Sequence, residues 1–163
     1  MSELIKVGMA DLKTCRYPDA LTTLGLGSCV GIALYDPVSK ISGLAHIMLP
    51  DSTQIKNNQN IAKFADTGID ELLKQMIAMG ASRARIVAKI AGGAQMFAFK
   101  SADTDNIMRV GDRNVEAVKK NLTKLGIRLL AQDTGNNYGR TVELYSEDGR
   151  FVIKSVGKPV KSI

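Results

Sequence analysis

The sequence predicts an α+β fold. Short strand-like runs dominate both ends of its 163 residues. Only two long helical patterns interrupt them, and hairpin turns join neighbouring runs where a doubly wound parallel fold would place a helix after each strand. A hydrophobic share of 45% with 23% charged residues suits a single domain spanning residues 1–163, large enough to bury a core without disulfide staples.

Leu4 to Lys13 reads as a first strand, followed by a connection through Cys15-Arg16-Tyr17-Pro18-Asp19 that leaves Cys15 an incidental thiol in a turn. Thr22 to Leu26 is a short second strand ending at Gly27-Ser28. A hairpin follows, Cys29 to Tyr35 and Lys40 to Leu49, around Asp36-Pro37-Val38-Ser39. That loop pairs Tyr35 with Lys40, and therefore Cys29 with His46, Gly31 with Leu44 and Ala33 with Ser42. Val30, Ile32 and Leu34 then share the opposite face with Ile41, Gly43, Ala45 and Ile47. A loop one residue longer would put Cys29 and His46 on opposite faces and mix polar residues into the apolar side. Directly paired residues have Cβ atoms about 4.5–5.5 Å apart, within reach of a thiol–imidazole contact.

Asp51 to Asn60 is a polar loop. Ile61 to Met79 is the clearest helix, with Ile61, Phe64, Ile69, Leu72, Leu73, Met76 and Ile77 at helical spacing, Asn60 placed to cap its start and Gly80 its end. Arg85 to Ala91 is a strand of the fully buried type, broken at Gly92-Gly93. Ala94 to Val110 is irregular. Asp112 to Leu125 is a second helix whose stripe is Val115, Val118, Leu122 and Leu125, with Gly126 as its stop. Ile127 to Gln132 is a strand and Asp133 to Gly139 a tight turn. Arg140 to Tyr145 and Arg150 to Val156 form a last hairpin around Glu147-Asp148-Gly149.

The net charge is +6, yet the 22 Lys and Arg residues are scattered with no run longer than Lys119-Lys120, and aromatics are 5% of the chain. A nucleic-acid surface needs clustered cations interleaved with stacking rings; an acidic protein partner fits better. No apolar stretch approaches the about 20 residues of a membrane span. The first residues also lack the layout of a secretory signal, which together place the chain in the cytoplasm without membrane insertion. Two cysteines stay as thiols in a reducing compartment.

Chemistry concentrates in residues 22–50, which hold Cys29 and the only histidine, His46. A cysteine nucleophile needs a nearby base and a group that orients the base. With one imidazole in the chain, the base for Cys29 is His46. Thr23 is placed to hydrogen-bond the imidazole and fix its tautomer. Gly25 and Gly27 permit close approach of a substrate, and the amides around Ser28 and Cys29 are candidate donors to an oxyanion. Against this, an unpaired cysteine commonly serves as a small buried hydrophobe, and a lone histidine on an apolar strand as a satisfied core residue. On pattern alone both readings stand. The Gly25-Leu26-Gly27 run lacks the remaining residues of a dinucleotide loop or a P-loop. One histidine and two distant cysteines make a poor metal set, so neither metal nor cofactor is expected.

These residues resemble the CheD family of chemoreceptor glutamine deamidases. The match is carried by Thr23-Leu24-Gly25-Leu26-Gly27-Ser28-Cys29-Val30 and Ala45-His46-Ile47-Met48-Leu49-Pro50. Lys89-Ile90-Ala91-Gly92-Gly93-Ala94, Arg113-Asn114-Val115-Glu116-Ala117-Val118 and Asp133-Thr134-Gly135 with Gly139-Arg140 follow in order. One departure is Asn136, where a second glycine is expected; asparagine tolerates the left-handed geometry of such a turn. The resemblance implies Cys29 as nucleophile, His46 as general base and Thr23 as a third necessary residue; the residues themselves put Gly27 and Ser28 at the substrate. It also implies stacked mixed sheets with helices packed outside, similar to the deamidating cytotoxic necrotising toxins. The implied substrates are methyl-accepting chemotaxis receptors, and the implied partner is a CheC-type response-regulator phosphatase, with Phe97 a candidate contact. Two other readings are a non-enzymatic adaptor for receptors and that phosphatase, and a cysteine amidohydrolase acting on another amide.

Overall fold

The computed structural model describes residues 2–54, 59–95 and 110–163. Its strands are β1 (Leu4–Lys6), β2 (Asp11–Arg16), β3 (Ala20–Leu26), β4 (Val30–Asp36), β5 (Ile41–Ile47), β6 (Val87–Gly92), β7 (Arg128–Thr134), β8 (Arg140–Tyr145), β9 (Phe151–Lys154) and β10 (Lys161–Ser162). Its helices are α1 (Ala65–Met79) and α2 (Val110–Leu125). The strands form two five-stranded sheets, in the orders β1-β3-β8-β9-β10 and β2-β5-β4-β6-β7. Both are mixed: β1–β3 and β6–β7 are parallel and the other pairs antiparallel. The α+β expectation holds, with three layers: outer sheet, inner sheet, helices.

Burial follows from this layering. Among the described residues the outer sheet is covered on one face, so β8 alternates, with Arg140, Val142 and Leu144 turned inward. β4 and β5 are buried along their whole length, because one face meets the outer sheet and the other meets the helices. Val30, Ile32, Leu34, Ala45 and Ile47 pack against Ile69, Leu72 and Met76 of α1 and Val118 and Leu122 of α2. Gly43 lets α1 approach: a Cβ there would lie 2.7 Å from Met76 Sδ. On the inter-sheet side Cys29, Ala33 and Leu44 meet Leu21, Leu26, Val142 and Phe151.

Three expectations need correction. The run from Leu4 to Lys13 is not one strand: β1 joins the outer sheet and β2 the inner one, the chain crossing between them with Ala10 in the left-handed region at φ 56°. Cys15 therefore lies in β2 and not in a turn; it is buried between the sheets with Sγ 3.2 Å from Ser146 Oγ. The helix expected from Ile61 starts at Ala65. A separate 3-10 turn, Ile61–Lys63, precedes it and is what Asn60 caps, accepting from the Ala62 amide at 3.2 Å. The interruption has a local cause. The Lys63 carbonyl accepts from the amides of Met48 and Leu49 at 2.8 and 3.1 Å, and Leu49 O accepts from Ala65 N at 2.9 Å. That pairing with the end of β5 draws Phe64 into an extended conformation. Gly80 ends α1 in the left-handed region as expected, and Asn136 adopts φ 61°.

Candidate active site

The β4–β5 hairpin keeps the expected faces but not the expected pairing. Gly31, and not Cys29, lies opposite His46, while Ala33 faces Leu44 and Tyr35 faces Ser42. The loop has the expected length but sits one residue later, at 37–40, which moves each partner by two and preserves side-chain parity. Asp36 is the reason. Its buried carboxylate accepts from the amides of Val38, Ser39 and Ser82 and is gripped by Arg85 through two bonds of 3.0 and 2.9 Å. Asp36 thus stays in the strand, and Lys40, at φ 55°, closes the loop through its amide to Asp36 O at 2.9 Å. Cys29 precedes the last ladder pair, Val30 with Ile47. Cys29 lies in the bend just before that pair and is buried among the inter-sheet residues, the side from which Thr23 reaches His46.

Thr23 reaches the same place from the other sheet. A bulge between Thr23 and Leu26 pushes Leu24 and Gly25 outward and leaves Thr23 buried between the layers. Its Oγ1 lies 2.7 Å from His46 Nδ1 and 2.8 Å from Val7 O. The carbonyl can only accept, so the single hydroxyl proton goes to Val7, and Thr23 accepts from Nδ1–H. The neutral ring then carries its lone pair on Nε2. Among the described residues that buried atom has no hydrogen-bond partner, so the thiol is not bonded to it.

Burial governs both ionisations. It pushes the Cys29 thiol above its ordinary value, against a smaller lowering by the residue's own backbone amide. It pushes the His46 imidazole below its ordinary value. Near neutral pH both groups are uncharged.

The loop ahead of β4 is held by partners the sequence pattern did not single out. Gly93 N donates to Cys29 O at 2.9 Å and Ala94 N to Gly27 O at 2.8 Å. A Cβ on Gly92 would stand 2.2 Å from that same Cys29 carbonyl, and Gly92 adopts φ 111°; the Gly92-Gly93 pair is what permits the approach. Asn114 of α2 donates from Nδ2 to Ser28 O and to Met48 O, both at 2.9 Å. The legible signal for Asn114 was a polar residue on the buried stripe of Val118 and Leu122. Gly27 N donates to Gly25 O at 3.1 Å. Phe97 and most of the 94–110 stretch fall outside the described residues. Among the described residues there is no cluster of three or more His, Cys, Asp or Glu side chains that could hold a metal, and no helix is long and apolar enough to cross a membrane.

Two stacked mixed sheets that bring a cysteine, a histidine and a threonine to one buried place define an α+β protein with a candidate thiol–imidazole centre. The family model described as CheD chemotactic sensory transduction matches residues 48–155. Relatives cover the segment before it as well. The chain is 64% identical over all 163 residues, and over 100% of the relative, to the "Probable chemoreceptor glutamine deamidase CheD" of Lachnoclostridium phytofermentans. It is 56% identical, over 99% of each chain, to the protein of that name from Caldanaerobacter subterraneus subsp. tengcongensis. It is 51% identical, over 100% of each chain, to the "Chemoreceptor glutamine deamidase CheD" of Halalkalibacterium halodurans. This chain belongs to the CheD family.

Proposed function

We propose that this protein is a protein-glutamine glutaminase that converts glutamine side chains of methyl-accepting chemotaxis receptors to glutamate. The reading rests on the names of its full-length relatives and on one observation above the rest. The only imidazole is buried beside Cys29's face with Nδ1 bonded to Thr23 and Nε2 unpartnered. A satisfied core histidine would use both nitrogens.

The reaction follows from those groups. The Cys29 sulfur attacks the side-chain carboxamide carbon as its proton passes to His46 Nε2. The Cys29 amide, aimed at its own sulfur, and the Ser28 amide receive the developing oxyanion, the Gly27 amide being engaged with Gly25. The imidazolium gives its proton to the departing nitrogen, ammonia leaves, and a γ-glutamyl thioester remains. Water then attacks the thioester carbon, losing a proton to Nε2, and the sulfur departs and regains it. Each turnover adds one negative charge and one methylatable carboxylate to a receptor helix, which would tune signalling and adaptation. Thr23 holds the ring so that Nε2 is the basic nitrogen throughout.

Family membership supports the further expectations: a CheC-type phosphatase as partner, a cytoplasmic location, one domain over residues 1–163 and a likeness to the deamidating toxins. The test is to incubate the protein with a glutamine-bearing receptor cytoplasmic fragment and follow ammonia and fragment mass. Conversion by the wild type and none by Cys29→Ala is expected. Equal conversion by both, or none by either, would sink the deamidase reading and favour the adaptor; free glutamine as an equal substrate would favour another amidohydrolase.

A further inference from the structure

We propose that Asn114 is a positioning residue for the cysteine–histidine pair, a clamp between the loop that carries Cys29 and the strand end that follows His46. Its side chain is buried, and Nδ2 donates one hydrogen to Ser28 O and the other to Met48 O, each at 2.9 Å. Ser28 immediately precedes Cys29, and Met48 lies two residues beyond His46. The β4–β5 ladder stops at Val30 and Ile47, so its own rungs do not reach Cys29. The Asn114 amide supplies the next rung from a third element, α2. It thereby ties Sγ to the segment that carries the imidazole.

Core filling does not account for this residue. Asn114 lies one turn before Val118 and two turns before Leu122 on a stripe that is otherwise apolar and buried. An aliphatic side chain would fill the space with no polar atom to satisfy. Instead Asn114 leaves its own Oδ1 buried with no hydrogen-bond partner among the described residues, an unfavourable arrangement. A neutral side chain with two hydrogens on one nitrogen is what two converging carbonyls require. The same carbonyl-holding logic recurs on the other side of the loop, where Gly93 and Ala94 amides bind Cys29 O and Gly27 O. Asn114 is the side chain whose hydrogen bonds, among the described residues, join the loop to the strand end past His46.

The catalytic consequence rests on the deamidase reading, but the clamp is tested without it. Iodoacetamide alkylation, followed at the Cys29 peptide by mass spectrometry, reports how readily His46 takes the thiol proton. In the wild type the rate should fall as pH drops through the His46 ionisation below 6.5. In Asn114→Ala, and in Asn114→Ser should the first variant fold poorly, that dependence should vanish. The profile should become that of His46→Gln, rising only with ionisation of the thiol itself. With receptor fragment as substrate, kcat should drop about a hundredfold with KM within about twofold, as for a misplacement near 1 Å. Leu122→Ala, a cavity further along the same helix, should keep the wild-type profile while lowering stability. A wild-type profile in folded Asn114 variants, or the same loss in Leu122→Ala, overturns the proposal. A wild-type alkylation rate independent of His46 also overturns it. Failure to deamidate any receptor fragment with the alkylation pattern intact would refute the substrate and leave the clamp supported.

Discussion

Thr23→Val tests the centre of the site with little change of shape. It removes the oxygen that accepts from His46 Nδ1 at 2.7 Å and donates to Val7 O at 2.8 Å. A buried donor deprived of its partner costs about 1–3 kcal/mol, and with both ring nitrogens then unpartnered the neutral imidazole loses its preference for the Nδ1–H tautomer. Each 1.36 kcal/mol is a factor of ten, so the ratio of the Nδ1–H to the Nε2–H ring should fall about 5- to 150-fold, and kcat should fall with the share of ring that keeps a basic Nε2. The tautomer can be read directly, because the chain has a single histidine and hence a single imidazole in a ¹⁵N long-range correlation spectrum. At pH 7.5 the wild type should show neutral imidazole protonated at Nδ1, and Thr23→Val should show a raised share of the Nε2–H form. A wild-type ring protonated at Nε2, or charged at that pH, would refute the reasoning. So would a variant with the Nε2–H ring and undiminished kcat.

Other consequences are open to simpler measurement. Gly92→Ala places a Cβ 2.2 Å from the Cys29 carbonyl at a φ of 111°; chemical denaturation should show a loss of about 2 kcal/mol or more, with Cys29 alkylation altered in the folded fraction. The depressed His46 ionisation means the unfolded chain binds more protons than the folded one below about pH 6.5, so stability should fall as pH drops through that window. His46→Gln should flatten this part of the curve in urea titrations between pH 5 and 7. Asp36 is pushed up by burial, but Arg85 and the amides of Ser82 and Val38 outweigh that and hold it well below the carboxylate range. Asp36→Asn should therefore cost about 1–3 kcal/mol, moderated by the partial exposure of Arg85, and the loss should appear as a lower urea midpoint at pH 7.

Face assignments were legible because strand parity is set by hydrophobic alternation: Val30, Ile32 and Leu34 had to share a side with Ala45 and Ile47, and they do. Pairing along the strands was not legible, because alternation is blind to a shift of two. That shift was decided by Asp36, whose carboxylate is held by Arg85 and Ser82, 46 and more residues away. The same limit explains the first strand. Leu4 to Lys13 is continuous in apolar pattern, and only the sheet order reveals that the chain changes layers between β1 and β2. Helix periodicity likewise ran on to Ile61, since Phe64 has helical spacing; what removed it from α1 was the demand of Met48 and Leu49 for the Lys63 carbonyl. Cys29, His46 and Thr23 could be singled out from residue type and order, and the structure bonds Thr23 to His46, whereas Asn114 needed the knowledge that Ser28 and Met48 come together.

The site's electrostatics bear on why the buried Cys29 thiol and His46 imidazole favour their uncharged forms. A separated thiolate–imidazolium pair between two sheets would place two charges where desolvation opposes both, and its attraction rarely repays that cost without further hydrogen bonds. Burial moves the Cys29 and His46 ionisations in the directions that favour the neutral pair. The residue of that choice is an unpartnered buried Nε2. An unsatisfied acceptor is relieved by whatever donor next arrives, and in the proposed reaction the donors come in sequence: the thiol proton during attack, then a water proton during thioester hydrolysis. Thr23 cannot relieve it, being committed to Nδ1. Under the proposed reaction the unpaired nitrogen is a base held ready by its environment, and its cost in stability is what the two-sheet packing around it has to absorb.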